Sequence, residues 1–168
     1  MELTKFFQEQ LRDKLEPELL KLGFFKPSIE KRFLGIALDV YSYRRKGNRR
    51  FAVWEAEIHS GHHGANITKL QKILKLKWEP TVFMFHIFSP AYYQCEKEKC
   101  SKSAKKLEKN YPRRFIYEQV DIRIPYERFE NMVNYFESSK YAAKQYYGRE
   151  IEKEVRRIVR QSISTLRS

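Results

Sequence analysis

RFLGIALDVYSYRRKGNRRFAVWEAEIHS, residues 32–60, is the stretch whose reading decides the fold. Its two halves, 32–45 and 49–60, are rich in β-branched and aromatic residues, and KGN (46–48) separates them. That pattern predicts two strands joined as a hairpin. Asp39 sits inside the apolar run LGIALDVY (34–41), where a carboxylate is costly to bury without a partner. In the second half, Glu55 and Glu57 are two residues apart, so on a strand both project to one side. Pairing of the halves brings Asp39 close to both.

Working outward, Phe7, Leu11, Leu15 and Leu22 recur at helical spacing and predict an opening helix ending at Gly23, kinked or divided at Pro17. After the hairpin, SGHHG (60–64) reads as a loop, and NITKLQKILKLKW (66–78) as an amphipathic helix. TVFMFHIFS (81–89) is a continuous apolar run of strand length, as expected of a strand covered on both faces. Residues 94–110, rich in Lys and Glu, read as a solvated helix, and FIYEQVDIRI (115–124) as a further strand. Pro125 opens a helical C-terminal region, with helices near 126–137 and 139–166. The order predicts an α/β protein with a central mixed sheet of about four to five strands. It forms one domain, with a core over about 1–124 and a helical extension over about 125–168.

The chain has 168 residues, 42% of them hydrophobic and 15% aromatic, which is enough to build a core. No apolar run approaches the roughly 20 residues of a membrane span, and the first residues do not read as a secretory signal. The expectation is a soluble cytoplasmic protein with no membrane partner. Thirty-four Lys and Arg against 21 acids leave a formal charge of +13, which points to a polyanionic partner, nucleic acid above all. Cys95 and Cys100 lack the second ligand pair of a zinc site and read as free thiols.

Asp is scarce: Asp13, Asp39 and Asp121 stand against eighteen Glu. Three carboxylates gathered at the hairpin need a compensating cation, and oxygen donors of this kind suit Mg²⁺ or Mn²⁺. Asp39, fifteen intervening residues, then Glu55-Ala56-Glu57, on adjacent strands after a helix and before a helix and a third strand, resembles the PD-(D/E)xK nuclease superfamily over about residues 1–124. The resemblance implies a restriction endonuclease-like three-layer core and a metal-dependent deoxyribonuclease. It implies Asp39 and Glu55 as metal ligands with the Ala56 carbonyl as a further one, and Glu57 as general base or second-metal ligand. Leu38 stands where proline is common, and Glu57 where the motif carries lysine, as in restriction enzymes with glutamate at that position. Lys69 and Lys72 are candidates for a relocated lysine. Gln71 lies where recombination-type members carry a helix glutamine, with Lys75 in place of the tyrosine that usually follows. Members often supply an extra glutamate from the first helix, and Glu18 is the candidate here. The other reading of Glu18 is an exposed residue beyond a break at Pro17. The other reading of the trio is an edge hairpin whose acids face solvent and pair with Arg44, Arg45, Arg49 or Arg50.

Arg44, Arg45, Lys46, Arg49 and Arg50 cluster at the hairpin turn and read as phosphate contacts close to the acids. His62 and His63, with His59, read as a polar loop able to touch substrate, and His86 as a satisfied core residue. The last helix carries Arg149, Lys153, Arg156, Arg157 and Arg160 on one side. Ile151, Val155, Ile158, Ile163 and Leu166 lie on another, a stripe able to dock on the domain or on a second copy in a homodimer. The competing function is nucleic-acid binding by a nuclease fold without chemistry.

Overall fold

A computed structural model describes residues 2–58 and 64–168. The opening helix α1 (Glu2–Lys21) runs unbroken through Pro17, so the expected division there does not occur. It buries Leu3, Phe6, Phe7, Leu11, Leu15 and Leu19. Burial of this stripe outweighs one lost backbone hydrogen bond. Gly23, at φ +79°, ends it: Phe24 N–H donates to Leu19 and Gly23 N–H to Leu20, the left-handed cap that glycine permits.

The segment 32–45 is not one strand. Leu34 and Gly35, at φ +52° and +77°, turn the chain between β2 (Arg32–Phe33) and β3 (Ile36–Ala37). Only β4 (Val40–Arg44) belongs to the main hairpin. A two-residue turn with both residues left-handed is the form that matches strand twist. β1 (Ser28–Ile29) pairs antiparallel with β4, and β4 antiparallel with β5 (Arg50–Glu57). β6 (Thr81–Phe88) and β7 (Phe115–Asp121) follow, each parallel to its predecessor, so five strands lie in the order β1-β4-β5-β6-β7.

Both crossovers lie on one face. The expected single helix over 66–78 is two short ones, α2 (Gly64–Thr68) and α3 (Gln71–Leu74). Hydrogen bonds tighten to three-residue spacing between them, from Leu70 to Ile67 and from Ile73 to Leu70. α4 (Gln94–Asn110) connects β6 to β7 on the same side. Ile67, Leu70, Ile73, Leu74, Cys100, Ala104 and Leu107 pack there on Phe51, Val53, Val82, Met84 and Phe88. On the other face, Ala52, Trp54, Ala56, Phe83, Phe85 and Ile87 meet α1 and the helices α5 (Tyr126–Ser138) and α6 (Lys140–Arg167). Alternate residues of β5 and β6 therefore enter different cores, which is why both strands read as continuous apolar runs. The stripe Ile151, Val155, Ile158, Ile163 and Leu166 is buried in this domain, so it is not available to a second copy. No helix among the described residues is long and apolar enough to cross a membrane, and Cys95 and Cys100 are free thiols.

Candidate active site

On the face covered by α2–α4, β5 presents Phe51 and Val53 to the core and then Glu55 and Glu57. β6 presents Val82 and Met84 and then His86, and β7 presents Phe115 and Tyr117 before Gln119. The register sets Glu55 beside His86 and His86 beside Gln119. One end of an otherwise apolar face is thus polar. The strand pattern dictates this, since residues two apart share a side.

Asp39 directly precedes β4. Its Oδ2 accepts the Ala56 N–H at 2.8 Å, which fixes it at the chain between Glu55 and Glu57. Burial holds its carboxyl above the usual range and Glu57 pushes the same way, while the Ala56 N–H, Lys69 and a hydrogen bond from Gln8 oppose this. Glu55 is 3% exposed. Burial, reinforced by the charge of Asp39, pushes its carboxyl up to about 8, against an opposing pull from Lys69. Asp39 feels the charge of Glu57 and pushes up the carboxyl of Glu55, but the three acids do not form a group arranged to hold a metal among the described residues. The alternative, a solvent-facing edge hairpin whose acids pair with the turn arginines, does not hold, because β4 and β5 are covered on both faces.

Lys69, at the break between α2 and α3, reaches into this end. Its Nζ lies 2.8 Å from Glu55 Oε1 and donates to the Ala37 carbonyl at 2.7 Å and to Asn66 Oδ1 at 3.3 Å. Lys72 is exposed, and half-buried Gln71 lines a cleft between the α2–α3 segment and α4. Asn66 donates in turn to Glu57 Oε1, which also meets His86 Nε2 at 3.0 Å. His86 is fully buried, and its Nδ1 lies 2.9 Å from the Tyr117 hydroxyl, which accepts from Gln119 Nε2 at 3.1 Å. A continuous polar chain therefore runs from Lys69 through Asn66, Glu57, His86 and Tyr117 to Gln119. As expected, His86 is a satisfied core residue. Its bond to Glu57 was invisible because the partners lie 29 residues apart on different strands.

Two expectations are corrected. Glu18 lies far along α1 from Gln8 and pairs with Lys21 at 3.3 Å and with Arg167 at 3.6 Å. Nearly three turns of continuous helix, about 15 Å, separate the acid end from that position, and Gln8 is the α1 residue that reaches Asp39. The heptad-like spacing of Gln8 with Leu11 and Leu15 placed it on the buried stripe and could have found it. The basic turn is also remote from the acids. Arg44 pairs with Arg50 at the far end of the hairpin, and seven strand steps from Arg50 to Glu57 span roughly 23 Å. Arg44 donates to the Leu22 carbonyl at 2.7 Å and Arg50 to the Leu166 carbonyl, so each satisfies a helix C-terminus. Arg45 lies over Trp78, and Lys46 and Arg49 are exposed. His59, His62 and His63 lie outside the described residues.

No group of three or more His, Cys, Asp or Glu side chains among the described residues is arranged to hold a metal. Asp39 and Glu55 form a two-carboxylate donor pair, and Mg²⁺ commonly uses one or two carboxylates with water in the remaining positions. Two observations fit a divalent cation of that kind. The two acids repel each other in a buried place, and Gln8 Oε1, buried beside Asp39, has no hydrogen-bond partner. Glu57 is engaged by Asn66 and His86, so it suits orientation better than direct ligation. Comparisons with protein-family models, with curated proteins and with solved structures find no match, so the site is read from its geometry.

Proposed function

We propose that this chain is a metal-dependent nuclease that hydrolyses phosphodiester bonds of DNA, on a restriction endonuclease-like version of the α/β architecture. The observation that carries the reading is the contact of Lys69 Nζ with Glu55 at 2.8 Å, beside Asp39. The motif's lysine, missing at Glu57, is supplied from the following helix. The order helix, antiparallel hairpin, crossover, parallel strand supports the same reading.

Asp39 and Glu55 would hold Mg²⁺ or Mn²⁺, with the Ala56 carbonyl as a further ligand. When bound, the cation supplies Lewis-acid stabilisation of charge developing on the phosphate. Lys69 adds a fixed positive charge in a site mostly shielded from water, where it is worth more than in solvent. Burial pushes the Glu55 carboxyl up to about 8, so binding of a cation there would favour loss of its proton. Glu57, held by Asn66 and His86, would be the acid that accepts a proton from an attacking water. Gln8 and the Ala56 N–H fix the orientation of Asp39.

One observation favours a second reading, nucleic-acid binding without chemistry: the described residues offer a cation two carboxylates rather than three. Plasmid and single-stranded DNA incubated with Mg²⁺ or Mn²⁺ separate the two. The nuclease reading expects cation-dependent cleavage that Asp39→Ala and Glu55→Ala abolish. Cleavage that survives both substitutions, or binding with no cleavage by the wild type, defeats it.

A further inference from the structure

The positive surplus is not spread evenly. Residues 69–114 hold twelve Lys and Arg against four Glu, which is eight of the thirteen excess charges in little more than a quarter of the chain. Apart from β6, which lies in the sheet and carries none of these charges, this stretch runs through the layer over the face that carries the acids. One of its acids, Glu96, accepts the Tyr93 N–H and so serves the start of α4. Along α4, Cys100, Ala104 and Leu107 are buried. Lys99, Lys102, Lys106 and Lys109 follow at three- and four-residue spacing and are exposed, forming one stripe. A cleft of about 240 Å³ runs beside that stripe, lined by Thr68, Gln71, Ser103, Lys106, Leu107 and Asn110. No acid lines it, and its far wall begins at Thr68, the residue before Lys69.

We propose that this cleft, with the lysine stripe of α4, is the track on which the phosphodiester backbone of the nucleic acid lies on its way to Lys69 and the carboxylates. The proposal takes the polymer's identity as DNA from the nuclease reading and nothing else. Amides and hydroxyls at backbone height, beside a row of ammonium groups, are the donors that position a phosphate chain without reading its sequence. The hairpin turn, which the sequence offered for this role, spends Arg44 and Arg50 on helix ends and lies at the opposite end of the strands.

The test measures binding of the full chain to a labelled DNA duplex in EDTA, across a series of salt concentrations. It compares Lys102→Gln/Lys106→Gln/Lys109→Gln with Arg45→Gln/Lys46→Gln/Arg49→Gln, which removes equal charge from the turn. The α4 variant is expected to bind at least tenfold more weakly near 0.1 M salt, with a slope of log affinity against log salt shallower by about 2–3. The turn variant is expected to stay within about threefold of wild type. Equal losses in both, a larger loss in the turn variant, no duplex binding by the wild type, or binding only to phosphatidylserine vesicles would each overturn the proposal. If the triple variant fails to fold by circular dichroism, the single variants Lys102→Gln and Lys106→Gln should each lower the slope by about 1, and unchanged slopes count against it. Because no metal is present, loss of binding in the α4 variant stands even if the wild type never cleaves. Cleavage by a wild type whose α4 variant binds normally sinks the track and leaves the nuclease.

Discussion

The two ends of the β4–β5 hairpin treat charge in opposite ways. At the turn, five cations crowd a short stretch, yet the fold disposes of them cheaply. Arg44 and Arg50 donate to the last carbonyls of α1 and α6, Arg45 stacks on Trp78, and Lys46 and Arg49 stay in water. At the other end, Asp39 and Glu55 are drawn out of water beside each other, with Lys69 as the cation at Glu55. Burial of two like charges is costly unless they are paired. The difference separates charge that serves the fold from charge that works against it.

The comparison breaks most visibly in activity. Asp39→Asn and Glu55→Gln should each lower Mg²⁺-dependent DNA cleavage by at least about 10³-fold, since each removes several kcal/mol of transition-state stabilisation. Lys69→Ala should cost about 10²-fold. Initial rates on a labelled duplex measure all three, and a rate within about tenfold of wild type for Glu55→Gln would contradict the assignment.

Stability against pH gives the next largest effect. Glu55 has its carboxyl raised to about 8 from an ordinary 4.5. The folded protein therefore holds a proton that the unfolded chain has released. In the absence of divalent cation, that contribution is fully present below pH 4.5 and is lost as pH rises through about 8. The loss is on the order of 3–5 kcal/mol, or roughly 10 °C in Tm. Thermal melts in EDTA between pH 5 and pH 9 should show it, Glu55→Gln should flatten it, and Mg²⁺ should restore stability at the alkaline end. A wild-type curve as flat as that of Glu55→Gln would mean that the carboxyl is not held out of water.

The turn supplies the smallest effects. Arg44→Ala and Arg50→Ala should each destabilise by about 1–2 kcal/mol through an unsatisfied helix end. Arg45→Ala and Arg49→Ala should fall within about 0.5 kcal/mol of wild type. Urea titrations distinguish them, and equal costs at all four positions would erase the contrast between the ends.

Much of this was readable in the chain, and the failures share a cause. α4, α5, α6, β6 and β7 follow periodicity closely because each buries one continuous stripe or run. The segments that departed are those where tertiary contact decides. Leu34 accepts a left-handed conformation to turn β2 into β3, and no composition rule marks leucine for that. Pro17 stays inside α1 because Leu15 and Leu19 are buried on either side of it. At the site, Glu55 and Glu57 were legible from strand alternation and Asp39 from its apolar surroundings, although it lies just before β4 and not inside a strand. Lys69 was legible from its place after β5, although it sits between two short helices. Glu18 was misread because helical spacing gives a residue's side of the helix and says nothing of which end of the sheet that side faces. Gln8 was within reach of the helical spacing and was passed over, whereas the link from Glu57 to His86 needed the sheet register, which local sequence does not encode.

The most direct measurement is anomalous diffraction from crystals soaked in Mn²⁺. The account predicts one principal peak between the carboxylates of Asp39 and Glu55, absent in Glu55→Gln crystals. A peak confined to surface acids such as Glu18, or a site empty of Mn²⁺ in a protein that cleaves DNA, would contradict it.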